Sequence, residues 1–136
     1  MAEKSIEIMA KTIYGEARGE YRKPNCGTKS LIAVGNVIMN RHKHSGESIE
    51  NICLKPKQFS CWNPWDPNRK LIENPPSADA IYVLCYVLSQ KLIDLKIQDI
   101  TNGANHYYSK IAKTPPYWAT GHVPVFEIGN HIFFKI

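Results

Sequence analysis

Residues 31–39 run Leu31, Ile32, Ala33, Val34, Gly35, Asn36, Val37, Ile38, Met39, and wound as an α-helix this stretch is apolar nearly all the way round. A helix without a polar face must be covered on every side, so other elements have to pack around it. Pro24 to Gly27 reads as a loop ahead of it, and Thr28 is a suitable N-cap for a helix running to about Arg41. Gly35 on this helix would let a neighbour approach closely. Upstream, Ile6, Met9, Ala10 and Ile13 recur at i, i+3, i+4 and i+7, the stripe of an amphipathic helix. A short helix is expected over residues 48–54. A fourth is expected from Pro75, where Asn74 can cap and proline suits the first turn. Its apolar set is Ala80, Val83, Leu84, Val87 and Leu88, at helical spacing to about Lys91.

The rest of the chain is patterned differently. Residues 55–69 place Pro56, Pro64 and Pro67 among Phe59, Trp62 and Trp65, which excludes a regular helix or a central strand and predicts an aromatic loop. After Asn102 and Gly103 come two short β-prone runs, 104–108 and 131–136. Helices segregated from a small antiparallel sheet near the C-terminus define an α+β fold. With 136 residues, 43% of them hydrophobic, the chain can bury one core and not two comfortable ones, so a single domain over residues 1–136 is expected.

Composition narrows the function. No apolar run is long enough to insert in a membrane and no signal-peptide core is visible, so the chain as written is expected to be made in the cytoplasm. The net charge of +5, from 17 basic and 12 acidic residues, favours anionic partners. The basic residues are scattered and no nucleic-acid-binding signature is present, so nucleic acid is not expected as a partner. Cys26, Cys53, Cys61 and Cys85 lack the paired spacing of a metal knuckle. Cys85, in an apolar helix, reads as a buried free thiol, while a Cys53–Cys61 disulfide is compatible with maturation outside the cell.

The chemistry centres on Glu16. Continuing the first apolar stripe beyond Ile13 lands on Glu16 and Ala17, and at ~100° per residue Glu16 lies within about 20° of Met9. A carboxyl group on that face is desolvated, which favours its neutral form and suits a general acid. The alternative is a helix that stops at Gly15 or Gly19, both poor helix formers, leaving Glu16 a solvated surface residue.

Five strings occur in an order that resembles the SleB/CwlJ cell-wall hydrolase family, which includes the spore cortex-lytic enzymes. They are Thr12 to Glu20, Ala33 to Arg41, Lys57 to Trp62, Gly103 to Tyr108 and Ile128 to Phe133. The form Phe59, Ser60, Cys61, Trp62 is closer to phage and Gram-negative members than to the spore enzymes. The resemblance implies a lysozyme-like fold, peptidoglycan as substrate, action on the bacterial cell wall, and cleavage of the glycan strand by one glutamate, which maps onto Glu16.

Glycosidic cleavage ordinarily uses two carboxyl groups. Glu20 is the nearest second one, but one helical turn from Glu16 on nearly the same face it is poorly placed for the opposite side of a sugar. It serves equally as a carboxylate that ties down the following loop through Arg18 or Arg41. One acid is enough if the muramoyl C6 hydroxyl is the nucleophile, the lytic transglycosylase route to a 1,6-anhydro product. A hydrolytic muramidase using water is the alternative. Trp62 and Trp118, in irregular segments, are candidates for the cleft or for packing. Gln58 and Ser60 are candidate partners for sugar amides. Tyr107 and Tyr108 point to opposite faces of any strand, so only one is expected at the site. The resemblance favours Tyr107, and it brings in His106 as a further substrate-binding candidate.

Two other classes stand beside this reading. His42, His44, His106, His122 and His131 could supply a zinc amidase or peptidase, although no H-E-x-x-H run is present. His42 and His44, near a helix end, read more simply as solvated residues compensating the helix dipole. A non-catalytic wall-binding module would share the aromatics and charge, without needing a carboxyl on an apolar stripe. The glycan-cleaving reading calls for no metal and no cofactor, and for a monomer.

Overall fold

The computed structural model describes residues 2–75, 78–112 and 114–136. Helix α1 spans Ala2–Tyr21 and α2 spans Gly27–Ser45. Both glycines of the first segment are accommodated, and α1 continues past Glu16. Helix α2 begins at Gly27 with Cys26 at the N-cap position, two residues before the expected cap Thr28. Leu31, Ala33, Val34, Val37 and Ile38 are all fully buried, so this helix is covered on every side as its composition requires. The short α3, Ile49–Leu54, is capped by the Ser48 side chain, which accepts from the Asn51 amide.

The proline-rich segment is irregular but not structureless. It holds a 3-10 turn at Ser60–Trp62 and a five-residue helix α4 at Arg69–Glu73, which its composition did not announce. Helix α5, Ala80–Ile93, starts five residues after Pro75. Asp79 is its cap, accepting from the amides of Ile81 and Tyr82, and takes the role expected of Asn74. Residues 76 and 77, inside the expected helix, lie outside the described residues. Its inward face is also rotated from the expected set. Cys85, Leu88 and Leu92 are buried, whereas Val83 and Val87 remain exposed.

Helices α1, α2 and α5 pack on one another around a core of Met9, Ile13, Leu31, Val34, Ile38, Cys85 and Leu92. Gly35 makes the closest crossing, because a Cβ there would sit 2.4 Å from the Leu92 side chain. The sheet follows, with β1 at His106–Ser109, β2 at Phe126–Ile128 and β3 at His131–Phe134. Its order is β1-β3-β2, both pairings antiparallel, with Tyr107 opposite Phe133 and Ser109 opposite His131. Strand β2 is too short to stand out in the sequence. One sheet face, carrying Tyr107, His131 and Phe133, turns toward the helices. The other carries His106, Tyr108 and Phe134 and is covered by Trp118, whose ring lies 4.9, 5.9 and 5.4 Å from theirs. The architecture is the α+β, lysozyme-like fold expected, mainly helical with the sheet at the C-terminal end. No helix among the described residues is long and apolar enough to cross a membrane.

Candidate active site

Glu16 sits about three-quarters of the way along α1, half-buried, where the helix passes under the aromatic loop. Its carboxylate is held from two sides. The Cys61 amide donates to Oε2 at 2.9 Å and the Ser60 hydroxyl to the same oxygen at 3.3 Å. On the other side the Tyr107 hydroxyl donates to Oε1. Three donors from two distant segments fix the carboxyl plane, so its direction is set by tertiary structure and not by its own rotamer preferences.

The approach of the aromatic loop depends on Gly15. A Cβ at this position would lie 2.7 Å from Cys61 Cβ and 2.9 Å from its sulfur, closer than packed atoms tolerate. Glycine costs a helix interior about 1 kcal/mol relative to alanine. Overpacking costs about 1–3 kcal/mol, so here the absent side chain is the cheaper choice. The loop is pinned further by Trp62, whose indole N–H donates to Thr12 Oγ1 at 2.9 Å, and by Arg69, which donates to the Trp62 carbonyl.

Around Glu16 lies a polar cleft of about 300 Å³, bordered by Gln58, Ser60, Asn68, Tyr107, Tyr108 and His131. Glu16 is the only carboxyl group among its lining residues. Tyr107 stacks on Phe133 at 5.2 Å and lies 5.0 Å from the His131 ring. Burial, then the Glu16 charge and hydrogen bond, push its hydroxyl well above the usual tyrosine value, so it remains a donor. His131 is buried with Nδ1 unpartnered, and burial lowers its imidazole against the pull of Glu20 and Glu16.

The candidate residues separate by position. Glu16, Gln58, Ser60, Tyr107 and Tyr108 all border the cleft. Tyr108 does so although it lies on the opposite strand face from Tyr107 in β1, an edge strand of the sheet. The expectation that only one tyrosine reaches the site is therefore corrected. His106 borders a neighbouring cavity instead. Trp62 is committed to Thr12, and Trp118 covers the far face of the sheet. Glu20 does not line the cleft. Its partners are the Lys23 ammonium at 2.7 Å and the Asn130 amide at 3.0 Å, in place of the expected Arg18 or Arg41. Arg18 instead holds Asn68 at the cleft edge, at 3.0 Å.

Sequence reasoning missed several cleft residues. Gly15, Lys57, Asn68, Ser109 and His131 all border it. The Cys61 amide is a backbone group without a side-chain signal, whereas Gly15 beside a striped glutamate was a usable clue. All four cysteines are buried free thiols, Cys53 and Cys61 among them, so the disulfide is not formed. Among the described residues no three His, Cys, Asp or Glu side chains converge as a metal ion requires.

A single carboxylate, fixed by three donors, thus lines a polar cleft between the helical body and the small sheet. The chain belongs to the cell wall hydrolase family, whose model matches residues 27–134, and is with it a peptidoglycan-lytic enzyme. That match begins after α1 and does not include Glu16. No curated protein matches the chain. Among solved structures, the catalytic domain of SleB from Bacillus cereus is 24% identical, with a TM-score of 0.69 over 96% of this chain and 89% of that one. The catalytic domain of the germination-specific lytic transglycosylase SleB from Bacillus anthracis is 23% identical, with a TM-score of 0.70 over 96% and 93%. Likeness at this identity concerns the fold.

Proposed function

We propose that the chain is a single catalytic domain that cleaves the glycan strand of peptidoglycan between MurNAc and GlcNAc as a lytic transglycosylase, with Glu16 as acid and then base. The supporting observation is the solitary carboxyl group. Glu16 carries the only carboxyl group among the described residues lining the cleft, while Glu20 is taken up by Lys23 and Asn130. A two-carboxylate mechanism has no second member to use. The fold shared with a lytic transglycosylase catalytic domain supports the same choice.

In the first step Glu16 gives its proton to the glycosidic oxygen, the C1–O bond breaks, and GlcNAc leaves with a free C4 hydroxyl. Positive charge develops at C1 of the muramoyl residue. The C6 hydroxyl of the same sugar then attacks C1 and returns its proton to Glu16, giving 1,6-anhydro-MurNAc and the starting form of the enzyme. The Cys61 amide, the Ser60 hydroxyl and Tyr107 hold the carboxyl group through both transfers. Gln58 and Asn68 are placed to read acetamido or hydroxyl groups, and the enzyme acts as a monomer on the wall.

Mass spectrometry of digested peptidoglycan tests the reading. Anhydro-muramoyl ends are expected, with no reducing muramic acid. Reducing ends alone would mean that water attacks, the hydrolytic alternative. Glu16→Gln should lower release by at least about 100-fold, the usual share of a general acid, with lysis by the wild type unaffected by chelators.

A further inference from the structure

A second cavity, of about 200 Å³, adjoins the cleft and shares Gln58 with it. Its lining includes Arg41, His44, Glu47, Lys55 and His106. The only carboxylate among these is already neutralised, since Glu47 pairs with Lys55 at 3.1 Å. Among the described residues Arg41 has no carboxylate partner. Its Nε donates to the Asn105 carbonyl at 2.8 Å and its Nη1 reaches the Gln58 side-chain oxygen at 3.4 Å, while the guanidinium lies over the Phe59 ring at 5.2 Å. Among the described residues Nη2 donates to none. A half-buried guanidinium that is oriented by a carbonyl and an aromatic ring, and still short of an anion, is the usual make-up of a carboxylate receptor.

The substrate has a group of that chemistry in the right place. This step rests on the glycan-cleaving reading above. The muramoyl residue cleaved at C1 carries its stem peptide on the lactyl ether at O3 of the same ring. The muramoyl residue at Glu16 must therefore send an anionic peptide out of the cleft within one sugar's width. Gln58 stands at that boundary, two residues from Ser60 on one side and in contact with Arg41 on the other.

We infer that the Arg41 cavity is a stem-peptide subsite, in which Arg41 pairs with a carboxylate of the peptide borne by the muramoyl residue being cleaved. The enzyme then selects peptide-bearing strands over bare glycan, and places its cut beside a substituted MurNAc.

The test uses the Glu16→Gln protein, which binds without turnover. It is titrated by calorimetry with MurNAc-L-Ala-D-Glu and with the diamide of the same compound. The acid is expected to bind roughly tenfold more tightly, the worth of one charge-assisted contact, and adding Arg41→Gln should erase that preference. Because Arg41 also supports Asn105, the exposed Lys55→Glu change provides a second route and should weaken the acid several-fold without moving the diamide. Equal affinities, no binding of the acid at millimolar concentration, or a preference that survives both substitutions would overturn the subsite. Wild-type cleavage of peptide-free glycan is read separately. Cleavage with no preference removes the subsite alone, and a preference without glycosidic products removes the proposed reaction alone.

Discussion

In the proposed reaction Glu16 depends on the neighbours that hold it, and Tyr107 is the neighbour most open to test. Its ring is anchored by stacking on Phe133, independently of the hydroxyl that donates to Glu16. Tyr107→Phe should therefore leave the melting temperature nearly unchanged while lowering kcat/KM roughly 10- to 100-fold, the range of one hydrogen bond to a charged group. Muropeptide release and a thermal melt on the same preparation measure the two. An equal fall in stability and activity would make Tyr107 a core residue and no more. At this scale much was legible in advance, because a carboxyl on an apolar stripe violates the helix pattern and such violations gather at functional sites. The departures at Trp62 and Glu20 have one cause. Each side chain is polar enough to take a structural partner, and a pattern cannot say whether Thr12 or Asn130 will be within reach.

Among elements, the contact between α1 and the 3-10 turn at Ser60–Trp62 governs the site. Gly15 sets its spacing, as Gly35 sets the spacing of α2 and α5. Gly15→Ala and Gly35→Ala should each cost about 1–3 kcal/mol through crowding. Their effects on activity should differ: at a temperature where both variants remain folded, Gly15→Ala loses activity because the Cys61 amide is pushed away from Glu16, while Gly35→Ala keeps it. Urea unfolding gives the stabilities, and turbidity loss of purified walls the activities. Helix existence was readable from periodicity, including the central place of α2. The start of α5 was not, since Asn74 with Pro75 is as good a local start signal as Asp79, and the latter wins because its carboxylate also accepts from Tyr14 at 2.6 Å. Helix α4 and strand β2 are short pieces stabilised by packing, which intrinsic propensity cannot announce.

For the molecule as a whole, Glu20 joins the end of the helical body to the turn between β2 and β3, where Gly129 has φ of +56° and a Cβ would crowd the Glu20 carboxylate at 2.8 Å. Burial by itself pushes the Glu20 carboxyl up, but the Lys23 ammonium, the Asn130 amide and the nearby His131 outweigh it and hold the group below its ordinary value of 4.5. A depressed carboxyl stabilises the fold above its unfolded-state value, and that contribution disappears as the pH falls through the folded-state value. Glu20→Gln should thus cost roughly 1–2 kcal/mol at neutral pH, a figure reduced by the exposure of Lys23. The gap to wild type should close on acidification below 4.5. Melting temperatures of both proteins across that range measure it, and a constant gap would show that the carboxylate charge is irrelevant to the joint.

Periodicity and turn chemistry alone established a mainly helical α+β chain with a buried second helix, a late sheet and one anomalous glutamate, because these are properties of neighbours in sequence. Tertiary structure decided what the glutamate faces. The donors on Glu16 come from residues 44, 45 and 91 positions away. The Arg41 cavity likewise forms only when α2, α3 and β1 meet. Contacts at such separations depend on packing angles and strand order, which no local pattern encodes.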